Sequence, residues 1–236
     1  MAKETILLLP ALNEEGKIGR VVAKTKGFVD EVLVIDDGST DNTAREAEGE
    51  GAKVIKHRVN MGAGAAIRSG MEHALSQGYE IIVIMGGDDQ DMANEMPRLI
   101  DPIINEGYDF VQGSRRLHGK RTVNMPFFRR ITTKVYSLLF RLLTGFPATD
   151  GTNGYRAMKS SLFKDKRIDL NQDWLNRYEL EPYIFYKVVK LGYRVKEVPV
   201  TKIYHQGDVG YTKMVPILDW WSILRPLIYL KFGIKR

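Results

Sequence analysis

Short apolar runs alternate with helical stretches along the amino-terminal half of the chain. Such alternation is typical of βαβ units, in which a helix connects each strand to the next parallel strand. The apolar runs predict strands at 5–9, 31–35, 52–56, 81–85 and 109–112. The stretches between them predict helices at 14–26, 42–48, 63–77 and 93–106, the first two capped by Asn13 and Asp41. The expected fold class is therefore α/β, with a parallel sheet.

The carboxyl-terminal half predicts two further core elements and two amphipathic helices. A helix at 179–191 and a strand at 193–200 belong to the core. A helix at 127–143 gathers apolar side chains on one face and carries basic side chains beside it. The apolar face consists of Phe127, Phe128, Ile131, Val135, Leu138, Leu139 and Leu142, flanked by Arg129, Arg130, Lys134 and Arg141. The tail at 214–232 predicts a second such helix, rich in Trp and Leu and broken at Pro216 and Pro226.

The composition excludes several kinds of site. The chain has 236 residues and no cysteine, so it forms no disulfide and no cysteine-ligated metal site. Its four histidines lack the spacing of a metal-binding motif. No apolar run approaches the roughly 20 residues that cross a bilayer, and no signal peptide opens the chain. We therefore expect a protein on the cytoplasmic side, without a transmembrane span.

The net charge of +6 is concentrated in two apolar segments. Residues 110–149 contain eight Lys or Arg and no acid, and residues 209–236 contain five Lys or Arg and one acid, Asp219. A nucleic-acid surface rarely carries so much aliphatic bulk between its charges, so we expect no nucleic-acid partner. Basic side chains beside an apolar face are typical of a helix that lies in a membrane interface. They predict a protein that is peripheral on the cytoplasmic face of a membrane. A core helix with a solvated basic rim, or the interface of a homo-oligomer, are the alternatives.

Two adjacent carboxylates, Asp36 and Asp37, end the second predicted strand and precede the turn Gly-Ser-Thr-Asp41. Ligands of open α/β sheets gather at the carboxyl ends of the strands. A carboxylate there can accept a hydrogen bond from a nucleobase N–H or a ribose hydroxyl. A turn that only caps the next helix explains Asp41 but not the pair before it. The pair therefore indicates a nucleotide site.

A glycine-rich segment with Asn60, Gly62, Gly64 and Arg68 opens the third predicted helix. Its glycines would let backbone amides approach a phosphate or a sugar. It matches neither the GxGxxG fingerprint nor a Walker A loop, which argues against a dinucleotide enzyme and a P-loop ATPase. Close packing of this helix on the sheet would explain the glycines equally well.

A second acidic turn, Gly86-Gly-Asp88-Asp89-Gln90-Asp91, follows the strand predicted at 81–85. Hard divalent cations prefer oxygen ligands, and diphosphate oxygens can complete their coordination shell. Asp88 and Gln90 are two residues apart and are expected to converge on one Mg²⁺ or Mn²⁺ ion.

These segments together resemble family 2 glycosyltransferases of the GT-A fold, and most closely the dolichyl- and polyprenyl-phosphate sugar synthases. The resemblance covers nearly the whole chain and implies a mixed, mostly parallel sheet flanked by helices. The matching strings are Pro10-Ala-Leu-Asn13-Glu14, Asp36-Asp37-Gly-Ser-Thr-Asp41, Asn60-x-Gly62-x-Gly64, Asp88-x-Gln90, Gly113-Ser114-Arg115, Asp150-Gly-Thr-Asn153-Gly154-Tyr-Arg156, Tyr178-Glu179-Leu-Glu181 and Gly192-Tyr193-Arg194-Val-Lys-Glu197-Val-Pro199. The chain departs from the family's Asp-x-Asp-x-Gln at Gly86, which replaces the first aspartate and predicts weak metal affinity or a changed ion preference.

The resemblance implies roles for the matching residues. The nucleotide sugar would be bound by Pro10, Leu12, Glu14, Asp36, Asp37, Asn60, Gly62, Gly64, Asp88 and Asp89. Asp88 and Gln90 would hold the metal, and Asp88, Arg115 and Arg156 would be catalytic. The acceptor and the phosphates would be bound by Arg115, Arg156, Lys213, Glu179 and Glu181. The glycosyltransferase domain would span residues 1–212, and residues 213–236 would form an amphipathic membrane-interface segment.

The activity implied is transfer of a hexosyl unit to polyprenyl or dolichyl phosphate at the membrane surface. The donor would be GDP-mannose, UDP-glucose or UDP-N-acetylglucosamine, and in-line attack implies inversion at the anomeric carbon. An acceptor phosphate is already ionised at neutral pH and needs no protein base. Transfer to a sugar hydroxyl of a glycan or glycolipid is an alternative that does need a base, for which Asp150 and Asp91 are the candidates. A non-catalytic membrane protein that binds nucleotide sugars is the other alternative.

Overall fold

The structure is a computed structural model that describes residues 4–117, 122–204 and 218–236. Within these ranges the chain forms nine strands and seven α-helices. The strands are β1 (Thr5–Ala11), β2 (Glu31–Asp36), β3 (Lys53–Lys56), β4 (Ile81–Ile84), β5 (Phe110–Ser114), β6 (Thr122–Val123), β7 (Arg156–Lys159), β8 (Val195–Pro199) and β9 (Lys202–Ile203). The helices are α1 (Ile18–Thr25), α2 (Thr43–Gly49), α3 (Ala63–Ser76), α4 (Pro97–Glu106), α5 (Phe127–Thr144), α6 (Leu180–Lys190) and α7 (Leu218–Lys231).

Seven strands form one mixed sheet in the order β3-β2-β1-β4-β7-β5-β8. Every neighbouring pair is parallel except the two pairs that involve β7, which runs antiparallel to both β4 and β5. The predicted α/β class and mostly parallel sheet are confirmed. Strand β7 was not predicted, and neither was the short parallel pair of β6 with β9.

Helices cover both faces of the sheet because its central strands are apolar on both sides. Residues Ile6, Leu7, Leu8 and Leu9 of β1 are fully buried, and their side chains alternate between two core clusters. One cluster includes side chains of α3, α5, α6 and α7. The other includes side chains of α1, α2 and α4. The carboxyl ends of β1, β2 and β4 remain uncovered between these layers, and the candidate site lies there.

The first helix begins four residues later than predicted, and the predicted Asn13 cap is wrong. Asn13 has a left-handed backbone, with φ of 51°, and lies before α1 rather than at its first turn. Its Oδ1 accepts a hydrogen bond from the Thr40 amide at 2.9 Å, and its own amide donates to Ser39 Oγ at 2.9 Å. Asn13 thus joins the loop after β1 to the loop after β2. Asp41 does bond the start of α2 as predicted, since its Oδ1 accepts from the Thr43 amide at 3.0 Å.

The apolar face predicted for the helix at 127–143 points to solvent in α5. Phe127 is 73% exposed and Leu142 is 71% exposed, while Leu139 is the one predicted member that packs against the core. The remaining exposed members are Phe128, Ile131, Val135 and Leu138. The helix packs through a different face, formed by Thr133, Tyr136, Ser137 and Phe140. The alternative of an ordinary core helix therefore does not hold for the apolar face.

The tail helix α7 is continuous where a break was predicted. It runs through Pro226, and the neighbouring Leu227 is fully buried in the core. The other predicted break, Pro216, lies outside the described residues. None of the described helices combines the length and the apolar character needed to cross a bilayer.

Candidate functional site

A cleft of about 480 Å³ lies at the carboxyl ends of β1, β2 and β4. It is lined by Pro10, Ala11, Leu12, Asn13, Glu14, Lys17, Asp37, Asn60, Gly62, Ala63, Ala66, Gly86, Gly87, Asp88, Gln90, Arg129, Arg177, Tyr178 and Asp219. The structure thus brings together eight of the predicted site residues: Pro10, Leu12, Glu14, Asp37, Asn60, Gly62, Asp88 and Gln90. The lining does not include Asp36, Gly64, Asp89, Arg115, Arg156, Glu179 or Glu181. Lys213 lies outside the described residues.

The adjacent carboxylates after β2 have different surroundings. Asp36 is fully buried, and its Oδ1 accepts from the Ser39 amide at 2.8 Å, so it holds the turn together. Asp37 lines the cleft, although it is only 4% exposed. The amide of Asp37 also donates to the carbonyl of Ala11 at 2.9 Å, which fixes the turn to the end of β1. Of the two, Asp37 is the residue placed to contact a ligand.

Three donors of the protein hold the Asp37 carboxylate in place. Its Oδ1 accepts from the Met61 amide at 2.9 Å, and its Oδ2 accepts from the Gly62 amide at 2.8 Å. His57 Nδ1 lies 2.7 Å from the same Oδ1 and is the donor, because a carboxylate only accepts. His57 is itself oriented by Ser69 of α3, whose Oγ lies 3.0 Å from Nε2. The carboxylate is therefore fixed before any ligand arrives.

The glycines around this carboxylate permit close backbone contacts. Gly38 has φ of +81°, and a Cβ there would lie 2.5 Å from the carbonyl carbon of Val59. A Cβ on Gly62 or Gly64 would lie 2.4 or 2.2 Å from a backbone oxygen of Asn176 or Leu175, respectively. Gly64 is thus a packing residue. The start of α3 lies directly against segment 175–177, which leads Arg177 and Tyr178 into the cleft.

The acidic turn after β4 sends its side chains in different directions. Asp88 and Gln90 line the cleft. Asp89 has a left-handed backbone, with φ of 58°, and pairs with Lys24 at 2.7 Å and Arg20 at 3.2 Å on α1. Asp91 is buried and pairs with Lys202 Nζ at 2.9 Å. Burial raises the pKa of Asp91, and the nearby Lys202 ammonium offsets only part of that effect.

The cleft-facing part of this turn fits a hard divalent cation. Gln90 Oε1 is buried without a hydrogen-bond partner among the described residues, which is the condition expected of an oxygen that awaits a ligand. A Cβ on Gly86 would lie 3.0 Å from Asp88 Oδ1, so the family's first aspartate would reach the same place. No three His, Cys, Asp or Glu side chains cluster as metal ligands in the described ranges. Asp88 and Gln90 would therefore hold such an ion together with oxygens from outside the chain.

Arg115 is buried in an ion pair away from the cleft lining. Its Nε lies 2.6 Å from Asp150 Oδ2, and its Nη2 donates to Asp150 Oδ1 at 2.8 Å. It also donates to the Tyr204 hydroxyl at 3.1 Å. Burial would raise the pKa of Asp150, but the Arg115 guanidinium outweighs burial and lowers that pKa. Both candidate bases, Asp150 and Asp91, are therefore already paired with a cation.

Arg156 and the two predicted glutamates form buried pairs as well. Arg156 is 1% exposed, donates to the Glu181 carbonyl at 3.1 Å and lies 5.9 Å from the centroid of the Phe110 ring. Glu179 is fully buried, accepts from the Arg177 amide at 2.9 Å and pairs with Arg225. These side chains connect β7, α6 and α7 below the cleft and do not line it.

The lining also includes residues that sequence analysis did not select for the site, among them Lys17, Arg129, Arg177, Tyr178 and Asp219. Arg177 Nη1 pairs with Asp219 Oδ1 at 3.2 Å, which joins the cleft wall to the first turn of α7. Burial raises the pKa of Tyr178 to about 12, so its hydroxyl is a neutral donor at physiological pH. Arg129 could have been identified from the sequence, because it is a basic residue that lies beside rather than on the apolar face of α5.

Comparisons with known proteins show the family to which the chain belongs. The sequence model of the family described as "Glycosyl transferase family 2" matches residues 6–166. Undecaprenyl-phosphate mannosyltransferase of Micrococcus luteus is 31% identical over 216 residues, which cover 89% of this chain and 86% of that protein. UDP-N-acetylglucosamine–dolichyl-phosphate N-acetylglucosaminyltransferase of Methanococcus voltae is 32% identical over 247 residues, which cover 96% of each chain.

The fold is also that of a solved enzyme. The crystal structure of glucosyl-3-phosphoglycerate synthase from Mycobacterium tuberculosis, in complex with Mn²⁺, UDP and phosphoglyceric acid, matches with a TM-score of 0.70. The identity is 20%, and the match covers 99% of this chain and 80% of that one. At this identity the likeness establishes the fold alone. The family match and the relatives above 30% identity establish more: the chain belongs to glycosyl transferase family 2 and is a glycosyltransferase.

Proposed function

We propose that this glycosyltransferase transfers a hexosyl unit from a nucleotide-diphosphate sugar to a polyprenyl or dolichyl phosphate at a membrane surface. One observation carries the proposal: the cleft that contains Asp37 and Asp88 opens beside two helices with exposed apolar residues. Arg129 of α5 and Asp219 of α7 both line this cleft. The relatives named for undecaprenyl-phosphate and dolichyl-phosphate transfer support the same class of acceptor.

The two ends of the cleft suit the two ends of the donor. Asp37 would accept a hydrogen bond from the nucleoside, and Asp88 with Gln90 would hold a divalent cation. Such a cation, when bound, would stabilise the negative charge that develops on the departing nucleoside diphosphate. Arg115 and Arg156 are buried in ion pairs and do not line the cleft, whereas Arg129 and Arg177 do. We therefore assign the phosphates to cations of the cleft lining, Arg129 and Arg177.

The acceptor step needs no protein base. A lipid phosphate is ionised at neutral pH, so its oxygen can attack the anomeric carbon while the diphosphate leaves from the opposite side, with inversion. The positions of Asp150 and Asp91 agree with this, because each is paired with a cation and neither lines the cleft. A hydroxyl acceptor would need such a base.

The exposed face of α5 would lie in the membrane interface. Ile131, Val135 and Leu138 are 45 to 53% exposed. Arg130, Lys134 and Arg141 beside them are also exposed. Each basic side chain near an anionic surface contributes about 1 kcal/mol of attraction. The same helix supplies Arg129 to the cleft, so docking there would bring a lipid phosphate beside the donor.

The test of the reaction uses the full chain with polyprenyl phosphate in anionic vesicles and a panel of nucleotide sugars, with and without Mn²⁺. We expect a glycosylated lipid that requires the lipid phosphate. Transfer to a sugar hydroxyl instead, or tight nucleotide-sugar binding without transfer to any acceptor, would contradict the proposal.

The test of the surface uses vesicle co-sedimentation. Replacing Ile131 and Leu138 by Glu is expected to weaken binding to anionic vesicles about tenfold or more, because each apolar side chain contributes about 1.5–3 kcal/mol when buried. Ile104→Glu is the matched control, since Ile104 is 56% exposed but lies on α4. Equal binding of all variants, or a wild-type dimer in solution that the double variant dissociates, would overturn the assignment.

A further inference from the structure

We propose that the donor carries uracil and that the site selects against guanine, because only one acceptor position of the Asp37 carboxylate remains for a base. The inference rests on the proposed function, which places the nucleoside at Asp37. It adds the identity of the nucleotide, which the cleft as a whole does not determine.

The hydrogen bonds within the protein can be counted for each oxygen of Asp37. A carboxylate offers about four lone-pair positions, two on each oxygen. Oδ1 accepts from two donors, the Met61 amide and His57 Nδ1. Oδ2 accepts from one donor, the Gly62 amide. Donors of the described residues therefore fill both positions on Oδ1 and leave one position on Oδ2.

The two bases differ in what they present to a carboxylate. Guanine carries two adjacent donors on its Watson–Crick edge, N1–H and the exocyclic amine, and a parallel pair of hydrogen bonds from them needs one free position on each oxygen. Uracil carries a single N–H between two carbonyl groups, and one free position satisfies it. Guanine bound here would leave one buried donor without a partner, which costs affinity.

The carboxylate cannot readily rearrange to free Oδ1. His57 is held from its other side by Ser69 of α3. The loop that carries the Met61 and Gly62 amides packs against Gly38, where a Cβ would lie 2.6 Å from the Asn60 nitrogen. Asp37 itself is 4% exposed. His57 and the loop that carries the two amides are thus fixed by separate contacts.

A neighbouring side chain suits the carbonyl groups of uracil. Asn60 lines the cleft, and its Oδ1 accepts from the Gly62 amide at 3.0 Å. Because Oδ1 is used in this way, Nδ2 is the group of this side chain that can donate to a base carbonyl. Together, Asp37 and Asn60 offer one acceptor and one donor, which match adjacent groups on the uracil edge.

The first test is calorimetric titration of the wild-type chain with UDP and with GDP, both with Mn²⁺. We expect UDP to bind about tenfold or more tightly, the factor that corresponds to about 1.4 kcal/mol. GDP binding as tightly as UDP, or more tightly, would overturn the inference and leave the proposed function intact. Failure of both nucleotides to bind would contradict the proposed function itself.

The second test removes the donor that fills Oδ1. His57→Leu should lower the UDP-to-GDP affinity ratio about tenfold, because the second acceptor position becomes available to guanine. His73→Leu is the matched control, since His73 pairs with Glu31 at 3.1 Å and does not line the cleft. An unchanged ratio in a folded His57→Leu protein would overturn the explanation, and the wild-type comparison decides the selectivity even if this variant does not fold.

Discussion

The two acidic turns of the cleft follow similar buried strands but differ in how their cleft residues are held. In the turn after β2, Asp36, Asp37 and Asp41 all accept hydrogen bonds from backbone amides. In the turn after β4, Gln90 Oε1 and Asp91 Oδ1 are buried without a hydrogen-bond partner among the described residues. An unsatisfied buried polar atom costs about 1–3 kcal/mol. The first turn also leaves one buried oxygen without a hydrogen-bond partner among the described residues, Asp36 Oδ2, but Asp36 does not line the cleft. Gln90 does line the cleft, so the second turn gains more from a bound cation.

The largest effect is expected from Asp88, the only carboxylate of the second turn that lines the cleft. Asp88→Asn should lower kcat/KM for transfer about 10²–10³-fold, the size of effect seen when one electrostatic contact to a transition state is lost. Asp89→Asn is the matched control, because Asp89 pairs with Lys24 and Arg20 instead of lining the cleft. Equal losses in both variants would mean that the turn acts only as a scaffold.

The next largest effect should follow from Asp37→Asn, which removes the charge of the first turn from the cleft. A hydrogen bond to a charged group contributes about 1.5–3 kcal/mol, so nucleotide affinity should fall about 10- to 100-fold. Titration calorimetry with the preferred nucleoside diphosphate measures this loss, with Asp41→Asn of the same turn as the control. Unchanged affinity would remove Asp37 from the nucleotide site.

A smaller effect, on stability, is expected from Gly38→Ala. The variant combines a positive φ with a contact of 2.5 Å to Val59, and we expect it to lower the free energy of unfolding by about 2–3 kcal/mol. Gly51→Ala separates the two causes, since Gly51 also has a positive φ but nothing within 4 Å of its Cβ position. It should cost about 1 kcal/mol. Chemical denaturation compares the two, and equal losses would show that the loop at Val59 simply moves aside.

The smallest effect should be a gain, from Gly86→Asp in the second turn. The new carboxylate would start from a Cβ 3.0 Å from Asp88 Oδ1 and would add a third oxygen ligand. We expect Mn²⁺ affinity to rise about tenfold, or about 1.4 kcal/mol, when measured by titration of the free protein. Without metal the variant should be less stable, because the carboxylates repel each other. No change in Mn²⁺ affinity would argue against a metal at this turn.

Much of the sheet and eight residues of the cleft lining could be predicted from the sequence, because both depend on local patterns. Apolar runs gave the strands of the parallel part, and the residues just after β1, β2 and β4 had to meet at one edge. Asp37, Asp88 and Gln90 do line one cleft. Which of two neighbouring acids faces the cleft was not predictable, because it depends on the turn that places Asp36 inward and Asp37 outward.

The arginines show where local patterns stop being informative. Arg115 and Arg156 follow strings that suggest phosphate ligands, yet each pairs with a side chain or carbonyl supplied 35 or 25 residues further along the chain. Such pairing is a property of the packed structure. Strand β7 was missed for a related reason: its sequence, RAMK, has no alternation of its own, and its place between β4 and β5 comes from partners on both sides.

The contact between the start of α3 and segment 175–177 sets the width of the cleft. The Ala65 amide donates to the Asn176 carbonyl at 2.9 Å, and Gly62 and Gly64 leave no space for even a methyl group. The wall that carries Asn60 and the wall that carries Arg177 are thus spaced by main-chain atoms alone. In related chains that keep this spacing, the gap has a constant size, so a change of donor sugar requires different side chains in the cleft lining. Differences in substrate should therefore be sought in the lining residues and not in the backbone around them.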